Sequence, residues 1–363
     1  MENPFNPAFG NVPARFLGRE IVAKEFFRAV ENKNHPWRTS LLIGIRGAGK
    51  TALLADIRRL ALSKNIIVVK ISPNTDMLND ILGQIHRNLP QSISSKVPKL
   101  TSVLLTGVRL EWQEKTPATY LNTFRYQLTT MLNAMQKKKL KVLFLIDEVQ
   151  KQSEEMKVFI STYQELIIED YDVSLMLAGL PDIVEDILNE DVLTFLRRAN
   201  KIMLENIDVN LVAHDYFDVL TNATFDVNKE ICTQLAKSTF GYPYLIQLIG
   251  FYTWEMLVTR KTMDFERILL QSKAILYENV HQLMFKSLSK MEQEFSFCMS
   301  QDGITSNISD VMARWGKEKN YVSTYRARLI ANGFIKSVGR GQIAFTLPYM
   351  NEFLQYKLED IGL

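Results

Sequence analysis

The stretch that most constrains this chain is Gly44-Ile45-Arg46-Gly47-Ala48-Gly49-Lys50-Thr51, which satisfies the spacing G-x-x-x-x-G-K-[ST]. It follows the apolar run Leu41-Leu42-Ile43 and leads into Ala52-Leu53-Leu54-Ala55-Asp56-Ile57-Arg58, which reads as a helix. Strand, glycine-rich turn and helix in that order form an anion cradle. The glycines let the backbone curl, so that loop N–H groups and the helix N-terminus converge on one anion. Gly44, Arg46, Gly47, Ala48, Gly49 and Ala52 are therefore expected to wrap a phosphate chain, with the Lys50 ammonium on its outer oxygens. The Thr51 hydroxyl is placed to ligate Mg²⁺.

A second landmark is Val142-Leu143-Phe144-Leu145-Ile146-Asp147-Glu148. Five consecutive apolar residues predict a parallel strand buried on both faces, and two carboxylates stand where it emerges. In open α/β sheets ligand chemistry gathers at that edge. Asp147 is expected to hold Mg²⁺, directly or through water, and Glu148 to polarise an attacking water. Apolar runs Ile66–Ile71, Ser174–Ala178 and Lys201–Leu204 supply three more strands alternating with helices. The fold class is therefore α/β, with a five-stranded parallel sheet carrying helices on both faces.

Around this core the pattern changes along the chain. Residues 1–14 hold three prolines and three asparagines and read as an extended arm. Phe16-Leu17-Gly18-Arg19-Glu20 precedes an amphipathic helix. Residues 90–117 are irregular, and Leu100, Leu104, Val108, Leu110 and Trp112 share one parity, as an inserted hairpin would. Asp208 to Leu276 is helical throughout, broken at Gly241-Tyr242-Pro243. From Tyr277 the character changes again: helices over 307–315 and 322–332 flank a turn containing Gly316. A hairpin then follows, with Gly339-Arg340-Gly341 at its tip. Two helices at a turn followed by such a hairpin predict a winged helix-turn-helix. The domains are thus expected at 1–207, 208–276 and 277–363.

Composition narrows the class further. With 47% hydrophobic and 23% charged residues the chain is an ordinary globular one, and a net charge of +3 implies no polyanionic partner by itself. Cys232 and Cys298, the two cysteines, have no ligand spacing, which suggests a reducing compartment without a disulfide framework. No apolar run approaches the roughly 18 residues of a membrane span. No charged-then-apolar signal pattern opens the sequence, so the expected location is cytoplasmic.

The ordered series resembles the origin-recognition-type branch of AAA+ ATPases and the related STAND signalling ATPases. It comprises Phe16-Leu17-Gly18-Arg19-Glu20, the phosphate loop, Leu145-Ile146-Asp147-Glu148, Ala178-Gly179-Leu180-Pro181, Gly241-Tyr242-Pro243-Tyr244 and the terminal helix-turn-helix. The resemblance implies ATP as the ligand, with Leu17, Gly18, Arg19, Tyr242 and Pro243 framing its adenine. It also implies that Arg198, just before the fifth strand, is an arginine finger reaching a neighbouring subunit's nucleotide in an ATP-dependent homo-oligomer. Two departures stand out. The strand before Gly179 ends without the Asn, Ser or Thr of a γ-phosphate sensor, and the helix after Pro243 lacks an early arginine. Fewer groups then stabilise transition-state charge in cis, so slow turnover is expected. By analogy of fold the winged helix is expected to bind DNA, with Ser323, Thr324 or Arg326 at base edges and cations such as Arg328 and Arg340 on phosphates. Winged helices that dock proteins are the alternative.

Overall fold

The computed structural model describes residues 2–8, 17–64, 66–73, 76–94, 123–149, 154–189, 191–260 and 262–361. Phe16 and the hairpin read from Leu100 to Trp112 lie outside the described residues. Helix α1 (Glu20–Glu31) leads to β1 (Thr39–Ile43), α2 (Lys50–Leu62), β2 (Ile67–Ile71) and α3 (Met77–Asn88). The core continues through α4 (Phe124–Gln136), β3 (Val142–Ile146), α5 (Glu154–Ile168), β4 (Val173–Gly179), α6 (Pro181–Asn189) and β5 (Asn200–Met203). All pairings in this sheet are parallel, in the order β2-β3-β4-β1-β5.

The apolar strand runs follow from burial on both faces. Leu41, Ile43, Phe144, Ile146, Leu175 and Leu177 pack into one layer with α3 to α5, while Leu42, Leu143, Leu145, Met176 and Ala178 meet α1 and α2 on the other. Successive strand residues point to opposite faces, so a strand covered on both sides must be apolar at every position. Because the strands all run parallel, the loops after β1 and β3 open onto the same edge, and with only β4 between those strands the phosphate loop comes to face Asp147.

A helical part follows, termed the lid for its place over the phosphate loop: α7 (Val209–Asn222), α8 (Lys229–Ser238), α9 (Pro243–Arg260) and α10 (Phe265–Leu276). Asp208 starts it as an N-cap, its carboxylate accepting the Asn210 and Leu211 amides at 2.7 and 3.3 Å. Gly241, at φ +69, lets the chain turn beneath α9. A Cβ there would sit 1.9 Å from the Ile207 carbonyl oxygen, so only glycine fits.

Helix α10 passes through a π-helical turn, Tyr277–His281, straight into α11 (Gln282–Ser287). A boundary at residue 277 therefore falls inside one continuous helical run. The last part holds α12 (Lys290–Ser300), β6 (Ser306–Asn307), α13 (Ile308–Trp315), α14 (Lys319–Ala331), β7 (Ile335–Gly339), β8 (Gln342–Phe345) and α15 (Met350–Ile361). Gly316, at φ +64, ends α13 and allows the turn into α14. Strands β7 and β8 form an antiparallel hairpin, and β6 adds to it in the order β6-β8-β7. One continuous apolar cluster joins lid and C-terminal part, running from Tyr216, Leu245 and Trp254 to Phe295, Leu329 and Phe353. No helix among the described residues is long and apolar enough to cross a membrane.

Candidate nucleotide site between core and lid

The phosphate loop spans from the end of β1 to the start of α2. Gly47 and Gly49 take φ values of +73 and +90, the left-handed region that glycine enters at no steric cost. Lys50 opens α2, and its ammonium donates to the carbonyls of Gly44 at 2.7 Å and Ile45 at 2.9 Å. Burial pulls this ammonium down to about 8, against the opposing pull of the Asp147 and Glu148 carboxylates. A partly desolvated cation beside two carboxylates gains strongly from an arriving phosphate.

Asp147 and Glu148 leave β3 at the same edge. Glu148 holds φ +56, unusual for a residue with a side chain, at a cost of about 1–2 kcal/mol. The next residue fixes the bend: Val149 is buried, and its N–H bonds the Ala178 carbonyl of β4 at 3.1 Å. Strain held in place by neighbouring packing is a common mark of a functional position.

The start of α9 packs directly over the loop. The Tyr242 hydroxyl donates to the Arg46 carbonyl at 2.7 Å, and its ring is fully buried. A Cβ on Gly47 would lie 2.0 Å from that hydroxyl, which shows how closely lid and loop approach. Between them is a cavity of about 300 Å³. Leu17, Arg19, Arg46, Gly47, Ala48, Gly49, Lys50, Thr51, Ala52, Asp147, Glu148 and Pro243 all contribute to its wall.

Three residues expected at the ligand stand elsewhere. Tyr242 is a latch behind the wall, because its ring fills the lid core and only its hydroxyl reaches the loop. Gly18 packs against Ile207 and Leu211, and Gly44 against Ala48 and Leu204, so neither faces the cavity. Arg19 does face it. Its guanidinium donates to the Glu205 carbonyl, its Nε is buried without a partner, and burial lowers its pKa. Arg198 is exposed and lies outside the cavity wall.

Sequence reasoning missed Asn6, Pro7 and Ala8 and the lid residues Ile246 and Gln247, which are also part of the wall. The Asn-Pro pairs announced an extended segment, but nothing local announced where it docks. Tyr244 is also in the wall, and its hydroxyl accepts from Asn279 Nδ2 at 3.0 Å, inside the π-helical turn. At the C-terminal part, a Cβ on Gly333 would meet Ile45 at 3.2 Å and Pro181 at 3.6 Å. The turn after α14 thus rests on the phosphate loop and the start of α6.

On α14, Ser323, Thr324 and Arg328 are exposed, and the Arg328 guanidinium lies 5.2 Å over the Tyr325 ring. Arg326 is half-buried, reaching Ser337 Oγ at 3.4 Å, and Arg340 is exposed at the hairpin tip. Arg314, which stands before the turn, is taken by the Asp302 carboxylate at 2.5 Å.

This fold and this cavity define the class: a P-loop NTPase-like core with a five-stranded parallel sheet, with helices packed over its cavity. Residues 38–188 match the family model described as an AAA domain, and residues 278–354 match one described as a domain of unknown function (DUF8462). Comparison with curated proteins gives no match. Among solved structures, the chain is similar to the Walker-type ATPase PABY2304 of Pyrococcus abyssi. The identity is 13% and the TM-score 0.65, over 94% of this chain and 96% of that one. It is also similar to Cdc6p from Pyrobaculum aerophilum, at 16% identity and a TM-score of 0.52, over 98% and 97% of the two chains. Residues 38–188 thus match an AAA domain, and over nearly its whole length the chain shares the fold of these two proteins.

Proposed function

We propose that this chain is a Mg²⁺-dependent ATPase switch of the cytoplasm, with a core (1–207), a lid (208–276) and a C-terminal winged helix (277–363) that binds DNA. One observation carries the reading: a single cavity brings together the phosphate loop, Asp147, Glu148 and the lid, and Ile45 of that loop touches Gly333 of the winged helix. The Tyr244–Asn279 bond gives a second route from cavity to C-terminal part. In this reading these contacts couple nucleotide state to the position of the winged helix.

Lys50 and the loop amides grip the phosphates, and Glu148 orients water. Among the described residues no group of three or more His, Cys, Asp or Glu forms a metal site. Mg²⁺ fits such a donor set, since it takes one or two protein oxygens and completes its shell with phosphates and water. Thr51 and Asp147 would supply those oxygens, and the ion would neutralise charge on the phosphates. Turnover is slow, because β4 ends in Ala178-Gly179 and the only arginine of α9 is Arg260 at its far end. Arg198 serves a neighbouring subunit's nucleotide in a homo-oligomer.

Lys50→Ala should abolish ATP binding, while Glu148→Gln should keep binding and lose hydrolysis; normal ATPase activity in both would sink the assignment. In Glu148→Gln with ATP and Mg²⁺, light scattering should show an oligomer that Arg198→Ala disperses. DNA affinity should fall steeply with salt and weaken further on combining Arg326→Ala with Arg340→Ala. The second reading is a STAND-like platform whose winged helix binds protein. The Asp302 bond that occupies Arg314 favours it, together with the Trp315, Tyr321 and Tyr325 cluster, ring centres 4.8–5.5 Å apart. Absence of DNA binding at low salt, with or without ATP, would decide for it.

A further inference from the structure

Asn3, Phe5 and Asn6, at the start of the proposed core, are held by the lid helices. Phe5 is buried in the lid core, edge-on to Tyr216 at 5.5 Å, and seated directly on Gly250. A Cβ at residue 250 would come within 2.4 Å of the Phe5 ring, so the seat exists only because residue 250 is glycine. On either side of this plug, Asn3 Nδ2 donates to Glu255 Oε1 at 2.9 Å and the Asn6 N–H donates to Gln247 Oε1 at 2.9 Å. All these partners lie on α7 or α9.

The next three residues, Asn6, Pro7 and Ala8, form part of the cavity wall. They carry no charge, so they add nothing for phosphates, which Lys50 and the glycine loop already serve. Their neighbours in the wall include Leu17, Ile207, Ile246 and Gln247, a mainly apolar surface with amide groups, suited to a flat heteroaromatic ring. The Gln247 carbonyl oxygen is committed to Asn6, which fixes the amide's orientation and leaves its NH₂ as a donor. The Asn6 NH₂ likewise has no partner among the described residues. Purine ring nitrogens are acceptors for such donors.

We infer that residues 6–8 are the lid-borne wall of a nucleobase subsite, and that Phe5 on Gly250 is the positioning residue that holds them there. The ligand class is the purine base of a nucleoside di- or triphosphate. This rests on the reading of the cavity as a nucleotide site. Because the wall travels with the lid, base contact and lid closure are one event.

The test measures binding of ATP, ADP and inorganic tripolyphosphate to the full chain and to four variants: Phe5→Ala, Gly250→Ala, Phe5→Leu and a deletion of residues 2–8. The first two and the deletion should raise the Kd for ATP and ADP by the same factor, about tenfold or more, and leave that for tripolyphosphate unchanged. Phe5→Leu, which keeps an apolar plug, should recover part of the loss. Unchanged ATP affinity in the folded deletion variant would overturn the inference. So would parallel weakening of tripolyphosphate, which would mark general damage rather than a lost base contact. Lys50→Ala separates the two readings: it should lose all three ligands whatever the arm does. A parent chain that binds tripolyphosphate but gains nothing from the base refutes the base subsite alone, while one that binds neither refutes the nucleotide site as well.

Discussion

Tyr242→Phe removes one hydroxyl from a side chain that is otherwise lid core. The ring stays buried among its neighbours, so packing is kept, and the loss is the 2.7 Å bond to the Arg46 carbonyl. Burial holds the Tyr242 phenol far above its usual range, so it is a neutral donor at every working pH. Leaving a buried acceptor unpartnered costs about 1–3 kcal/mol. The phosphate loop borders a cavity from which water can reach that carbonyl, so the lower part of the range applies, about 1–1.5 kcal/mol. That corresponds to a fall of about five- to twelve-fold in the closed-lid population. Stopped-flow release of a fluorescent ATP analogue should accelerate by this factor, with little change in association. Amide hydrogen exchange at residues 46–49 should quicken in parallel. A folded variant with parental release rate and parental exchange would refute the latch, and with it the link from lid to loop.

Two pH effects follow from buried cations and bases. Burial lowers the Lys50 ammonium to about 8, so ATP affinity should be level below that pH. Above it, binding must take up a proton, and affinity should fall by up to about tenfold per pH unit. Glu148→Gln should move this midpoint down, since it removes a carboxylate that raises Lys50; calorimetry in buffers of different ionisation heat reads the proton uptake. His281 is buried between the carbonyls of Leu276 at 3.2 Å and Pro348 at 3.0 Å, and burial pulls it to about 4. The unfolded chain binds a proton near pH 6.5 that the folded chain refuses, so stability falls with pH from about 6.5 towards 4, by up to about 3 kcal/mol. A His281→Gln variant should show a flatter Tm between pH 7 and 5 than the parent; an unchanged slope would assign the effect to other groups.

The sequence alone determined the parts of this protein whose geometry is local. Gly44 to Thr51 specifies its own curl, because positive φ at Gly47 and Gly49 and the start of α2 are properties of adjacent residues. The runs at β3 and β4 announce burial on both faces, because a two-sided environment leaves no polar position to see. The turns at Gly316 and Gly339-Arg340-Gly341 are equally local.

Only the tertiary structure decided which residues meet. The order β2-β3-β4-β1-β5 places Asp147 opposite a loop about a hundred residues earlier in the chain, and no local preference records it. Tyr242 reads as a wall residue by its place in the chain, yet packing turns its ring into the lid core and leaves only the hydroxyl for the loop. Phe5 finds Gly250 across more than two hundred residues, and Gly333 finds Ile45 across nearly three hundred. Such contacts depend on the complementary shape of surfaces that exist only once their helices have packed. Backbone conformation is written in neighbouring residues; contact between distant ones is written in the fold.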